Sequence, residues 1–147
     1  MSATGTERWR SNWRCVSREG ALHVDLGRPR TRRLDLERTI RDLPPGTAVV
    51  LAASAPAAIS RCRTFASRAG IELEREYLAL PSARAPAYLV EDAPATVRVF
   101  VRSVLTVPPG SVLSTPIDAC LSVLRALSPW RLIRMVAPGR VVVGRRT

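Results

Sequence analysis

One short stretch of the chain, residues 47–53 (TAVVLAA), limits the possible folds more than any other. Its side chains are apolar after the first residue, and it lies between the turn Pro44-Pro45-Gly46 and the polar residue Ser54. Because apolar and polar side chains do not alternate along it, neither face of a strand built from it can be exposed to water. The pattern predicts a central strand that is paired on both sides and covered by helices on both faces.

The residues around this strand predict further helices and strands. Apolar residues at positions i, i+4 and i+7 predict a short helix at 34–43, after an arginine-rich loop. A second helix is predicted after the central strand, with Ser54 as its N-cap, Pro56 in its first turn and Gly70 just beyond its end. Residues 71–80 then predict a strand. The buried stripe of the second helix is predicted to contain Ile59, Cys62, Phe65, Ala66 and Ala69.

The C-terminal third of the chain continues the alternation. Residues 87–90 predict a short strand. Between 95 and 105 the apolar residues fit a helical face, although their high valine content also permits a strand; we favour the helix. Residues 131–136 and 140–144 flank a Pro-Gly turn and predict a terminal hairpin. Strands that alternate with helices indicate an α/β fold.

Length and patterning predict a single α/β domain at 12–147, preceded by a flexible basic arm at 1–11. Residues 12–17 and 21–26 flank a short turn and predict a hairpin at the start of the domain. With 147 residues, 46% of them hydrophobic and 24% charged, the chain has the composition of a globular protein.

Composition also bears on the compartment. No apolar run approaches the roughly 20 residues needed to span a bilayer, so no membrane association is expected. The N-terminus is polar and arginine-rich, which argues against a secretory signal. Three widely spaced cysteines argue against a disulfide framework. We therefore expect a cytoplasmic protein.

The charge of the chain is strongly positive. It holds 23 basic residues, all of them arginine, against 12 acidic ones, a net charge of +11. Guanidinium groups bind phosphates and carboxylates in bidentate fashion, whereas GC-rich codon usage would produce the same bias without any such role. A solvated basic surface is the interpretation that we favour. The candidate anion-binding residues are Arg28, Arg30, Arg32 and Arg33 in the predicted loop and Arg145 and Arg146 in the tail.

The sequence offers few groups for catalysis or cofactor binding. The eight glycines are too far apart to form a G-x-G-x-x-G or Walker-type phosphate loop. His23 and Asp25 share one face of a predicted strand and are the candidates for an acid–base pair, with exposed polar residues as the plainer interpretation. Glu72, Glu74 and Glu76 also alternate along a strand, where ion pairing with arginine is favoured over a metal site. No metal is expected.

The stretch from Pro44 to Pro86 carries a family resemblance. A P-P-G turn leads into the strand TAVVLAAS, then into a helix ending F-A-S-R-A-G, then into the strand IELEREYLALPS. This resembles the C-terminal half of class I S-adenosylmethionine-dependent methyltransferases. There, a P-G-G turn precedes the fifth strand, and a helix ending L-x-x-A-G-F leads into the sixth. The continuation L-A-L-P-S-x-x-x-P-A-Y-L-V is similar to methyltransferase-like proteins of polysaccharide or secondary-metabolite biosynthesis.

The resemblance implies a partial Rossmann-like sheet with flanking helices and the predicted C-terminal hairpin. The family holds its cofactor with a glycine-rich loop after the first strand and an acidic residue that ends the second. This chain has neither the loop nor enough residues before Ala21 to build those strands. No cofactor-binding residue is therefore assigned, and no cofactor is expected.

Two functional hypotheses follow from these features. The first is a truncated methyltransferase-like domain that acts by association with a protein partner or with itself. The second is a basic module that binds nucleic acid or another anion. Whether the chain is an enzyme stays open, since His23 and Asp25 are the only candidate catalytic residues that we name.

Overall fold

The computed structural model describes residues 16, 18–27, 30–55, 57–104, 119, 122–123, 126 and 130–147, with the backbone alone at 30–33. The described helices and strands, in chain order, are β1 (Leu22–Asp25), α1 (Arg30–Arg41), β2 (Ala48–Ser54), α2 (Ala58–Ala69), β3 (Ile71–Leu80), β4 (Tyr88–Glu91), α3 (Pro94–Ser103), α4 (Trp130–Val136) and β5 (Gly139–Arg146). Among them, no helix is long and apolar enough to cross a membrane.

The five strands form one mixed sheet in the order β1-β2-β5-β3-β4. β1 runs parallel to β2, and β5 runs antiparallel to both β2 and β3. β1, β2 and β3 therefore run in one direction, and the last strand of the chain lies between two of them in the opposite direction. The predicted α/β class is confirmed.

The central strand predicted from residues 47–53 is β2. It pairs with β1 on one side and β5 on the other, and its residues from Val49 to Ala53 are buried. On one face, Val49 and Leu51 pack with side chains of α1 and α2. On the other face, Val50 packs in a cluster that, within the described part of residues 1–89 and 137–147, contains no helical residue. Helical cover is therefore confirmed for one face.

The chain forms two compact units. The first consists of Met1–Leu89 and Ala137–Thr147, and the second of Val90–Val136. In the second unit, α3 confirms the helix favoured at 95–105, and it buries Val97, Phe100 and Val101.

The second unit is held by the Asp92 carboxylate, whose side chain is only 2% exposed. Trp130 Nε1 donates to its Oδ1 at 2.8 Å, and Arg134 Nε lies 2.9 Å from its Oδ2. The Arg134 guanidinium also lies 5.2 Å from the centre of the Trp130 ring. Trp130 and Arg134 are four residues apart, a spacing that brings side chains to one face of a helix.

The predicted terminal hairpin is therefore wrong. Residues 131–136 belong to α4, and β5 pairs with β2 and β3 instead of with the residues before it. A single carboxylate that binds two side chains four residues apart favours the helix over the strand that the apolar pattern suggested.

Several predicted boundaries also change. The helix predicted at 34–43 begins at Arg30, so Arg30, Arg32 and Arg33 lie in α1 instead of in a loop. Ser54 ends β2 and does not cap α2, which begins at Ala58 after Ala57 in a left-handed conformation (φ 56°). Gly70 ends α2 in the left-handed region (φ 67°), as predicted.

The predicted N-terminal hairpin is only partly described. Its second strand is present as β1, which pairs in parallel with β2. Its first strand, predicted at 12–17, lies outside the described residues except for Val16. The predicted arm at 1–11 lies outside them entirely.

Replacing Val50 with aspartate should lower the free energy of unfolding by several kcal/mol, because Val50 is 0% exposed and the new carboxylate would have no counter-ion in its apolar cluster. The same substitution at Val99, which is 62% exposed on α3, should cost less than about 1 kcal/mol. Urea unfolding followed by circular dichroism measures both. Equal losses in the two variants would contradict the burial of Val50 on β2.

Candidate functional site

The carboxyl ends of β1, β2 and β3 lie along one edge of the sheet, because these strands run in the same direction. In open α/β sheets, ligands bind in the crevice outside such carboxyl ends. We call this edge the carboxyl edge and define it by Asp25, Gly27, Ser54, Arg84 and Gly139. All five residues belong to the first unit.

Asp25 organises the turn after β1. Its Oδ1 accepts a hydrogen bond from the backbone N–H of Gly27 at 2.8 Å. Its Oδ2 lies 3.5 Å from Nε of Arg84, in the segment that follows β3. One carboxylate therefore connects two segments that follow different strands, and this holds the carboxyl edge together.

His23 lies two residues before Asp25 on the same face of β1. The backbone register places His23 opposite Val50 and Asp25 opposite Ala52. Residues i and i+2 of a strand are about 7 Å apart, and the described contacts of Asp25 go to Gly27 and Arg84. The structure thus puts the two side chains on one face, and their role as an acid–base pair stays a prediction.

Gly139 begins β5 at the same edge and allows the segment after β3 to pack closely. A Cβ atom at this position would lie 2.8 Å from the Cβ of Ala83 and closer still to the Ala83 backbone nitrogen. Ala83 itself is 1% exposed. Because glycine has no side chain, Gly139 allows the segment that carries Ala83 and Arg84 to pack directly against β5.

Replacing Gly139 with alanine should destabilise the protein by more than about 2 kcal/mol, because backbone atoms of Ala83 cannot move away as a flexible side chain could. Gly46→Ala is the matched control: Gly46 has a positive φ of 84° but open space around it, so only backbone strain of about 1 kcal/mol is expected. Thermal or urea unfolding gives both values. A Gly139→Ala variant as stable as Gly46→Ala would argue against the close packing at Ala83.

The two predicted anion-binding residues of the tail have partners within the protein. Arg145 forms an ion pair with Glu74. Arg146 Nη2 donates to the backbone carbonyl of Arg41 at 3.0 Å, and Arg41 Nε in turn donates to the carbonyl of Arg68 at 2.8 Å. Both carbonyls lie in the last turns of helices, where cations interact favourably with the helix dipole.

The four other predicted anion-binding residues are separated from the tail in sequence. Arg28 lies outside the described residues. Arg30, Arg32 and Arg33 lie in the first turn of α1, where only the backbone is described. Anion binding by these residues stays a prediction.

The three glutamates of β3 do not form the single face that their spacing predicted. The β3–β5 register shifts between Leu73 and Arg75, which marks a bulge at Glu74. Beyond it the alternation is reversed: Leu73 packs on the α2 side of the sheet and Tyr77 on the other. Strict alternation along residues 71–80 predicts Leu73 and Tyr77 together on the inner face and the glutamates on the outer one, and for Leu73 and Tyr77 this prediction is wrong.

Two of the three glutamates form ion pairs with arginine, as the sequence favoured. Glu76 accepts two hydrogen bonds from Arg63, from Nε at 2.9 Å and from Nη2 at 3.1 Å. Glu74 pairs with Arg145. Among the described residues no group of three acidic, histidine or cysteine side chains could hold a metal ion.

Cys62 lies under α2 and is fully buried, as its place on the apolar stripe predicted. Burial disfavours the thiolate and raises the pKa of the thiol from its ordinary value of 9.0 to about 12, although the charge of nearby Arg61 acts in the opposite direction. The thiol is therefore protonated at neutral pH and is not a nucleophile. Cys15 and Cys120 lie outside the described residues.

The raised pKa of Cys62 makes a prediction for alkaline pH. Above about pH 9 the unfolded chain loses the thiol proton while the folded chain keeps it, so the free energy of unfolding falls as the pH rises from about 9 towards 12. In Cys62→Ala this contribution is absent, and the groups shared by both proteins cancel in the comparison. Measured by urea unfolding, the difference in unfolding free energy between the wild type and Cys62→Ala should be smaller at about pH 10.5 than at about pH 8. A difference that is the same at both pH values would contradict the buried, protonated thiol.

Sequence reasoning did not place two arginines correctly in the fold. Arg84 follows β3 in a loop with no motif, and its pairing with Asp25 depends on the sheet order. The sequence also grouped Arg140 with the tail as an anion-binding candidate, but its side chain is 2% exposed and it lies between Ala53 and Leu78 in the sheet, so that expectation is wrong for Arg140. An arginine directly before a valine run is the one sequence signal that could have indicated a buried position.

No family model, curated protein or solved structure matches this chain. Its interpretation therefore depends on its own residues and on the order of its strands.

Proposed function

We propose that this chain is a methyltransferase-like α/β domain that holds no cofactor-binding glycine loop and acts in association with a second polypeptide. The observation that carries this proposal is the position of β5, antiparallel between the parallel strands β2 and β3. The family that residues 44–86 resemble ends its sheet in the same way, with a last antiparallel strand inserted between the fifth and sixth strands. In that correspondence β2 is the fifth strand and β3 the sixth.

The same correspondence makes β1 the strand next to the cofactor-binding half. β1 is the edge strand of the sheet in the described part of the chain. The backbone N–H of Leu26 donates to the carbonyl oxygen of Ala52 in β2. In a pair of parallel strands every second residue turns both its N–H and its C=O towards the neighbouring strand, so the residues of β1 alternate between facing β2 and facing away from it. The backbone groups of Asp25 point the other way. Such an edge is a template for one more strand, which supports association through β1.

The carboxyl edge would then form one wall of a crevice completed by the partner. Asp25 and Arg84 lie at this wall and present a carboxylate and a guanidinium that bind polar groups of a substrate. The resemblance suggests an intermediate of polysaccharide or secondary-metabolite biosynthesis as that substrate. The partner, or a second copy, would supply the groups that hold S-adenosylmethionine.

The alternative of a nucleic-acid or anion-binding module has no described contact in its favour. It depends on the net charge of +11, and Arg145 and Arg146 already have acceptors within the chain.

Sedimentation velocity over a wide concentration range, with and without the products of neighbouring genes, tests the association. We expect a complex, and calorimetry should detect no S-adenosylmethionine binding by the isolated chain. Asp25→Pro removes a backbone donor that points away from β2 and should weaken the complex by at least about tenfold. Ala95→Pro, in the tolerant first turn of α3, is the control and should leave the complex unchanged.

Two results would overturn this function. One is a chain that stays monomeric at high concentration and binds S-adenosylmethionine alone. The other is a complex that Asp25→Pro and Ala95→Pro affect equally while circular dichroism shows both variants folded.

A further inference from the structure

A cleft of about 280 Å³ opens between α1 and α2 in the first unit. Its polar walls include Glu37 on α1 and Arg61 and Arg68 on α2. Its apolar lining includes Leu26 and Phe65, both buried, and Leu34, which is half exposed. The volume is near the low end of ligand pockets, about 300–1,000 Å³, which suits a small molecule.

Glu37 is the unusual residue of this cleft. It is only 8% exposed, and no described residue donates a hydrogen bond to its carboxylate or forms an ion pair with it. A buried carboxylate is costly unless a donor or a cation compensates it. Because the side chain lines the cleft, a ligand can provide the missing cation.

The facing helix offers the opposite charge. Arg61 and Arg68 are seven residues apart and so lie on one face of α2. An Arg61 Nη2 hydrogen bond to the backbone carbonyl of Ser54 fixes the first guanidinium. Arg68 is exposed and can reach an anionic group of a ligand.

We propose that the cleft binds a small zwitterion with an aliphatic body. Its ammonium group pairs with Glu37, its carboxylate pairs with Arg68, and its hydrocarbon part packs on Leu26 and Phe65. Asp25 and Arg84 do not line this cleft, and the proposal does not depend on the methyltransferase-like function.

Calorimetry with L-leucine and two matched probes tests the class of ligand. 4-Methylpentanoate keeps the carboxylate and the aliphatic body but lacks the ammonium group. 3-Methylbutylamine keeps the ammonium group and lacks the carboxylate. We expect L-leucine to bind, and each matched probe to bind at least about tenfold more weakly.

Two variants assign the charges to residues. Glu37→Gln should weaken L-leucine binding by at least about tenfold and leave the weak binding of 4-methylpentanoate unchanged. Arg68→Gln should weaken L-leucine equally and leave 3-methylbutylamine unchanged. Arg38→Gln, exposed elsewhere on α1, is the control and should bind like the wild type. A purely structural role of Glu37 would change stability without this selectivity between probes.

The proposal is overturned if L-leucine gives no binding up to about 10 mM, or if all three probes bind equally. It is also overturned if Glu37→Gln and Arg68→Gln, both folded by circular dichroism, bind all probes like the wild type. Should Glu37→Gln fail to fold, the Arg68→Gln comparison decides alone.

Discussion

The structure depends on the insertion of β5 between β2 and β3. This strand joins two strands that otherwise do not pair, and its valines enter both faces of the sheet, Val142 on one and Val141 and Val143 on the other. The insertion requires close backbone contact at both ends. A Cβ on Gly144 would meet the carbonyl oxygen of Glu72, and one on Gly139 would meet the backbone of Ala83. The last residues of the chain therefore fix the positions of segments about 60 residues earlier, so the first unit is completed only when they pair.

Arginine side chains form many of the hydrogen bonds and ion pairs around this sheet. Arg146 and Arg41 donate to carbonyls near the ends of α1 and α2, and Arg63 binds Glu76 with two hydrogen bonds. The planar guanidinium suits such bonds, since it offers several donors in fixed directions. Part of the arginine excess is therefore used within the protein, whatever its origin in codon usage. Carbonyl acceptors have no sequence signature, which is why Arg146 stood among the candidates for binding external anions.

The sequence predicted those features whose cause is local. The unbroken apolar run defined β2, a glycine in the left-handed region ended α2 at Gly70, and helical spacing placed Cys62 in the core. Features that depend on distant residues were missed. The pairing of β5, the bulge at Glu74 and the helical state of residues 131–136 each depend on contacts far along the chain. The same holds for the candidate site. Alternation along one strand predicted that His23 and Asp25 share a face, whereas the ion pair of Asp25 with Arg84 depends on the order of the strands in the sheet.

The carboxyl edge has a chemical character that bears on how such a domain could work. The Asp25 carboxylate is bonded to Gly27 and Arg84, and the Cys62 thiol is buried and protonated. These groups position segments, and none of them is an activated nucleophile. Under the proposed function, Asp25 and Arg84 would orient a polar substrate, and the associated polypeptide would supply the cofactor-bound reactive group. Association through the β1 edge would place that group directly beside Asp25, because β1 carries Asp25 at its carboxyl end.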